Sequence, residues 1–273
     1  MKTPISYWGG KQCLASIIIN LIPEHRIYCE PFAGGAAILF AKRPSPVEII
    51  NDLNKEIFNF YEVVQQDFSA LQNKIYVTLH SRKTHHQAWV VYKNPDLFNR
   101  VKRAWAIWVL ANQSFGSMLS SSWGSDGGGK KIKAINNKRQ YFNNDFFIRI
   151  KNIGIENMDA SQLIKKHDAL DCFFYLDPPY VGADQGHYAE YTQKHFDDLL
   201  ECLAGIKGKF LLSSYRNENL DTFKKQYSWN QIEVEMNNAT SSSQLSGYQP
   251  KIEVLTSNYH LLGERQIVID FLE

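Results

Sequence analysis

Short apolar runs rich in β-branched and aromatic residues recur along this chain. Each is closed by an acid, a glycine pair or a proline, and most are followed by an amphipathic stretch. That alternation predicts buried strands with covering helices, an α/β sheet. Strands are expected over Arg26–Cys29, Val47–Ile50, within Asn152–Asp159, over the apolar run before Asp177, and in GKFLLSSY (208–215). Helices are expected over Cys13–Leu21, Ala36–Lys42, after Asp52 to about Val64, near Ser161–His167, after a cap at Thr192, and over Asn217–Lys225. NQIEVEM and KIEVLTSN read as a final antiparallel pair, and Gln266–Phe271 as one more strand. No internal repeat is present.

The sharpest stretch is FFYLDPPY, 173–180. The first proline restricts Asp177 to extended backbone, and the second rules out a helical continuation. The run therefore reads as a buried strand delivering Asp177 to its C-terminal lip, where ligands sit in open α/β sheets.

Between Gln65 and about Gln140 the alternation stops and the pattern turns mainly helical. Trp105 and Trp108, three apart on an apolar helix, are expected in a core. GSMLSSSWGSDGGG (116–129) reads as a flexible loop and runs into KKIK, while 237–250 is long and polar. Charge separates this region from the rest. Leu71–Gln140 holds twelve Lys or Arg against two acids, a net +10 in a chain of +2, which leaves −8 elsewhere. A basic insert on an acidic body suggests a polyanion surface confined to one part of the molecule.

Composition excludes more than it selects. At 273 residues, 44% apolar and 21% charged, the chain suits one large α/β domain or a domain with an insertion. Cys13, Cys29, Cys172 and Cys202 are widely spaced and read as free thiols in a reducing compartment. The N-terminus lacks the apolar core of a signal peptide and no stretch is long enough to span a membrane, so an intracellular protein is expected.

The candidate chemistry lies at the strand ends. In YWGGK (7–11) the glycines allow close backbone approach and Lys11 can reach a carboxylate or phosphate. EPFAGG (30–35) joins a strand to a helix N-terminus through a glycine loop, a setting for a nucleotide-like ligand. It is neither GxGxxG nor a Walker loop, and Glu30 suits hydroxyls or an ammonium better than phosphate. Asp52 can accept from a ribose diol or cap the helix that follows it. Glu30, Asp52, Asp159 and Asp177 lack paired-metal spacing, and His25, His187 and His195 read as surface residues, so no metal is expected.

An exocyclic adenine amine is a poor nucleophile and must be oriented. The Asp177 carboxylate and the Pro178 carbonyl can each accept one of its hydrogens, because neither Pro178 nor Pro179 offers a competing backbone donor. Tyr180 can stack on a base held outside its helix.

Together YWGGK, EPFAGG, NDLN (51–54), FYLDPPY (174–180), SSYRN (213–217) and KIEVLTSNY (251–259) resemble the Dam-like adenine-N6 DNA methyltransferases, over residues 5 to about 259. The resemblance implies a class I methyltransferase, Rossmann-like, with a mixed seven-stranded sheet whose last strand is reversed and a mainly helical DNA-recognition insertion. Tyr7, Trp8, Gly10, Lys11, Glu30, Pro31, Phe32 and Gly34 would line the S-adenosylmethionine pocket. Asp52 would bind the ribose, and Asp159 lies where the cofactor adenine is usually contacted. Asp177, Pro178, Pro179 and Tyr180 would hold a flipped adenine, with Asp177 also bordering the cofactor.

Residues 1–64 and 146–273 would form the catalytic domain, and 65–145 the target recognition insertion. DNA contacts are expected among Arg82, Arg100, Asn112, Gln113, Lys130, Lys131, Arg139 and Gln140, with the 184–191 loop as a further DNA face. Double-stranded DNA is the expected partner, with a cognate restriction endonuclease as a second. A cytoplasmic monomer or weak dimer of bacterial or phage origin is implied. Two departures stand out: Ala36 occupies a position that is often glycine, where a methyl would crowd the cofactor, and fourteen residues follow Tyr259. The alternatives are methylation of RNA or of a protein amide by the same acceptor, or an inactive DNA-binding homologue.

Overall fold

The computed structural model describes residues 1–125, 128–181, 191–237, 251–261 and 267–270. The 184–190 and 238–250 segments singled out above, together with His187 and residues 126–127, lie outside the described residues.

Among the described residues eight strands form one sheet: β1 (Ile27–Glu30), β2 (Val47–Asn51), β3 (Gly154–Glu156), β4 (Cys172–Leu176), β5 (Lys209–Ser214), β6 (Asn230–Asn237), β7 (Lys251–Ser257) and β8 (Ile267–Asp270). Their order is β3-β2-β1-β4-β5-β7-β6-β8. β7 runs antiparallel to both β5 and β6, and the other pairings are parallel. The first seven strands make the mixed sheet with a reversed last member that the motifs imply. β8 adds a parallel edge beside β6, which is where part of the extension after Tyr259 goes.

β4 is central and wholly buried, as a continuous apolar run between two flanking parallel strands should be. Successive side chains leave the sheet on opposite faces. Phe173 and Tyr175 join a core with Tyr28, Leu211, Val234 and Leu255, while Phe174 and Leu176 join one with Cys29, Phe210, Leu212 and Val254. Burying each such large side chain stabilises the fold by about 1.5–3 kcal/mol. The second face is covered by helices Ala160–His167, Gln193–Ala204 and Glu218–Tyr227. Thr192 caps the middle one in a reciprocal capping box with His195.

The other face carries helices Ala15–Leu21, Ala37–Ala41 and Lys55–Gln66. The helical stretch between β2 and β3 packs into the same core: Leu71, Ile75, Val91, Trp105, Trp108, Ile135 and Phe142 belong to it. In helix Arg100–Gln113 every residue from Ala104 onward is buried, so both tryptophans are core. A buried ionic group pins this layer. Glu48 on β2 takes Lys42 Nζ at 2.5 Å and both terminal nitrogens of Arg149, whose guanidinium also donates to Leu39 O at 2.7 Å.

The glycine- and serine-rich stretch after Gln113 is more ordered than its composition suggests. Ser114 bridges Trp123, Phe115 N donates to Ser122 O and Gly124 N to Gln113 O, both at 2.8 Å, so residues 113–115 pair antiparallel with 122–124. Trp123 lies against His80, ring centroids 5.0 Å apart, and beneath the Arg82 guanidinium. Backbone pairing and stacking anchor a segment that reads as a loop by composition.

Candidate active site

β1 has β2 on one side and β4 on the other, and the chain leads away from it in both directions. The loops after these three strands therefore part and leave a crevice at their C-terminal ends. A cleft of about 1700 Å³ opens there. Every residue expected at the cofactor or the acceptor lines it: Tyr7, Trp8, Gly10, Lys11, Glu30, Pro31, Phe32, Gly34, Asp52, Asp159, Asp177, Pro178, Pro179 and Tyr180.

At one end the glycine loop, β2 and the amino-terminal motif interlock. Gly34 has φ 46°, and a Cβ there would lie 2.9 Å from Tyr7 Cδ1. Its N–H donates to Asp52 Oδ2 at 2.8 Å, and Tyr61 donates to its carbonyl at 2.8 Å. Asp52 also accepts from Asn54 N at 2.8 Å. The helix cap, though, is Asn54, which accepts from Glu56 N, so the capping reading of Asp52 is corrected. Burial raises the Asp52 carboxyl to about 6, against the two backbone donors. Burial likewise raises Glu30 to about 7, opposed by the Tyr28 hydroxyl and Leu39 N that donate to it.

Asp159 caps helix Ala160–His167 through Gln162 N at 3.1 Å while bordering the cleft. Ala36 does have left-handed backbone, φ 50°, but it is fully buried in the core and is not among the cleft residues. Its methyl does not crowd the cleft.

At the other end Lys11 Nζ sits 2.7 Å from Asp177 Oδ1 and 3.6 Å from Glu253 Oε1. It also donates to Gly9 O at 2.9 Å and stands 4.8 Å from the Tyr180 ring centre. Burial pulls the Lys11 ammonium down, but Asp177 and Glu253 outweigh it and the net direction is up. Burial pushes Asp177 upward, with Lys11 opposing. The Tyr180 hydroxyl meets Glu253 Oε1, Ser213 Oγ at 3.2 Å and Asp177 Oδ1 at 3.2 Å, and burial keeps it protonated. Tyr215 meets the Tyr180 ring edge-on, centroids 4.4 Å apart.

The expected DNA contacts fall into three groups. Arg82 and Lys130 are exposed, as is Gln140, and Lys131 is half-buried and donates to Ser114 O at 3.3 Å. Arg100 pairs with Asp67 at 2.8 Å, and Arg139 donates to Tyr76 O and Thr78 O at the end of helix Phe68–Tyr76. Asn112 and Gln113 are buried, which corrects their reading as base contacts. Asn112 Oδ1 accepts from Ser6 N and Lys138 Nζ, and Gln113 Nε2 donates to Leu79 O. His25 and His195 also have internal partners, Ser45 and Thr192.

Sequence reasoning missed several cleft residues. Asn51 joins the glycine loop to the segment after β3, donating to Pro31 O and Met158 O and accepting from Met158 N. Glu253 is the one acid on β7 and Tyr215 follows β5, both lining the cleft, while Ser213 on β5 stands behind them. The signal for each was its place in a motif already quoted, with no partner visible in sequence.

The sheet order, the reversed seventh strand and a cleft at the switch point define a class I methyltransferase, a fold with the capacity to bind S-adenosylmethionine. Residues 7–240 match the model of the D12 class N6 adenine-specific DNA methyltransferases, and the chain belongs to that family. Its activity is accordingly site-specific methylation of adenine N6 in DNA. It is 26% identical to Type II methyltransferase M1.LlaDCHI of Lactococcus lactis subsp. cremoris over 94% of this chain and 95% of that one. It is 25% identical to Type II methyltransferase M.MjaIII of Methanocaldococcus jannaschii over 72% and 76%. Among the described residues no helix is long and apolar enough to cross a membrane.

Proposed function

We propose that the cleft divides into a cofactor half, formed by Tyr7, Trp8, Gly10, Glu30, Pro31, Phe32, Gly34, Asp52 and Asp159, and an acceptor half formed by Asp177, Pro178, Pro179 and Tyr180, with Lys11 between them. The fit of S-adenosylmethionine is supported by the Tyr7 ring seated directly against Gly34, which makes one wall of the cleft, and by carboxylates suited to hydroxyls. When bound, it supplies an electrophilic methyl on a sulfonium.

The chain's own groups do the orienting. Lys11 anchors Asp177 through Oδ1, which leaves Oδ2 to accept one hydrogen of the adenine amine while the Pro178 carbonyl accepts the other. Both acceptors favour the nitrogen as it gains positive charge. Tyr180 supplies a ring face for a base taken out of the duplex. The observation that carries the reading is the ion pair that fixes Asp177 at the mouth of the cleft.

Residues 65–145 are proposed as the target recognition insertion on double-stranded DNA, with Arg82, Lys130 and Lys131 toward phosphate. Acidic body and basic insert support this division. A cognate restriction endonuclease is the proposed second partner, and a monomer or weak dimer the proposed state. The test is competition for methyl-tritiated S-adenosylmethionine among duplex DNA, RNA and a glutamine-containing peptide. Label should enter adenine in the duplex alone. Label in RNA or peptide at a comparable rate would overturn the reading.

A further inference from the structure

Behind the acceptor half lies a second carboxylate with no role in the scheme above. Glu253, on β7, is 2% exposed and borders the cleft. Its Oε1 accepts from the hydroxyls of Tyr180 and Ser213 and stands 3.6 Å from Lys11 Nζ. Two hydroxyls need only a neutral acceptor, and a buried carboxylate is costly unless paired. What the charge adds is a second anion for Lys11. The ammonium then lies between Asp177 and Glu253, three charges with a net of −1.

We infer that Glu253 is a positioning residue for the methyl transfer, holding the Lys11 ammonium and the Tyr180 hydroxyl so that Asp177 and the Tyr180 ring meet the target base in one geometry. The inference rests on the proposed roles of Asp177 and Tyr180. It has two parts. A phenol carries a single proton, and Glu253 is nearer to the Tyr180 hydroxyl than Ser213 or Asp177, so that bond fixes one end of the ring while Tyr215 fixes its edge. The ammonium, shared between two carboxylates, anchors Asp177 without drawing it fully out of reach of an amine. The charged or titratable groups facing Lys11 are Asp177, Glu253, Tyr180 and Tyr215.

The experiment compares wild type, Glu253→Gln, Glu253→Asp and Asp177→Ala in single-turnover methylation of genomic DNA lacking N6-methyladenine. S-adenosylhomocysteine binding and the pH profile of the rate are measured alongside. Glu253→Gln keeps the volume and an acceptor oxygen, so cofactor-product affinity should stay within about threefold. The rate should fall about tenfold or more, the scale of a small misplacement of reacting groups. Its alkaline limb should move to lower pH, because Lys11 keeps only Asp177 as counter-charge.

Glu253→Asp keeps the charge but shortens the reach to Tyr180. It should hold the alkaline limb near that of wild type while remaining slow. A rate and limb in Glu253→Gln matching wild type, with Asp177→Ala inactive, would overturn the Glu253 inference alone. An active Asp177→Ala, which has no acceptor oxygen, would overturn the acceptor reading and this inference together. If Glu253→Gln does not fold, Glu253→Asp decides, and a wild-type rate there overturns the inference.

Discussion

Replacing Gly34 with alanine tests the cofactor half of the cleft, and its cost can be worked from the loop. Left-handed backbone costs a non-glycine residue about 1–2 kcal/mol, and Gly34 has φ 46°. The new methyl would lie 2.9 Å from Tyr7 Cδ1 and 3.0 Å from Cε1, closer than carbon atoms pack. Overpacking of this kind costs about 1–3 kcal/mol unless the ring moves. The loop is held from behind by Tyr61 and Asp52, so the ring is the part that yields. With the ring displaced, stability should fall by about 1–2 kcal/mol by thermal melting, the backbone cost that remains. Losing one aromatic wall, about 0.5–1.5 kcal/mol, should weaken S-adenosylmethionine about three- to tenfold in calorimetry. Affinity within twofold of wild type, with the melting point lowered, would refute the placement of the cofactor against Tyr7.

Further outcomes follow from other contacts. Glu48→Ala strands Lys42 and Arg149 as buried cations, and should cost about 3–5 kcal/mol in denaturant unfolding; a loss below about 1 kcal/mol would show the group to be solvated. Glu30 and Asp52 are raised from 4.5 to about 7 and from 3.8 to about 6, so the native state holds their protons more tightly than the unfolded chain does. Their contribution to stability is therefore complete below pH of about 4 and lost as pH rises through about 7, roughly 3 kcal/mol for Glu30. S-adenosylmethionine affinity should run the opposite way, rising with pH through about 6 as Asp52 ionises, and Asp52→Asn should flatten that dependence in calorimetry. Arg82→Ala and Lys130→Ala should each weaken DNA binding and lower the salt slope by about one, whereas Asn112→Ala should cost about 1–3 kcal/mol of stability through the lost acceptor for Lys138 and Ser6.

The central strand and the acidic residues at the sheet edge were legible because each depends on local chemistry. An apolar run stopped by Pro-Pro has few ways to fold, and the glycine pair after β1 bends in the place its sequence requires. Roles fixed by distant partners were not legible. Asp52 and Asn54 both suit a helix start, and only the Gly34 amide, eighteen residues away, draws Asp52 to the cleft. Asn112 and Gln113 looked like surface amides in a basic segment, but Ser6, Lys138 and Leu79 bury them. Ala36 posed a clash only while the direction of its methyl was unknown. Glu253 alternates with apolar neighbours on β7 and gains meaning only when β5 and the Asp-Pro-Pro-Tyr turn pack beside it.

The most direct test of the central claim is the rate of Asp177→Ala on DNA, with methylated adenines mapped at single-molecule resolution beside the wild type. Wild type should mark N6 of adenine within one sequence context. The variant should leave no mark above background while binding S-adenosylmethionine nearly as well. Methylation by Asp177→Ala at a tenth of the wild-type rate or more would contradict the assignment of Asp177 as the acceptor that orients the amine.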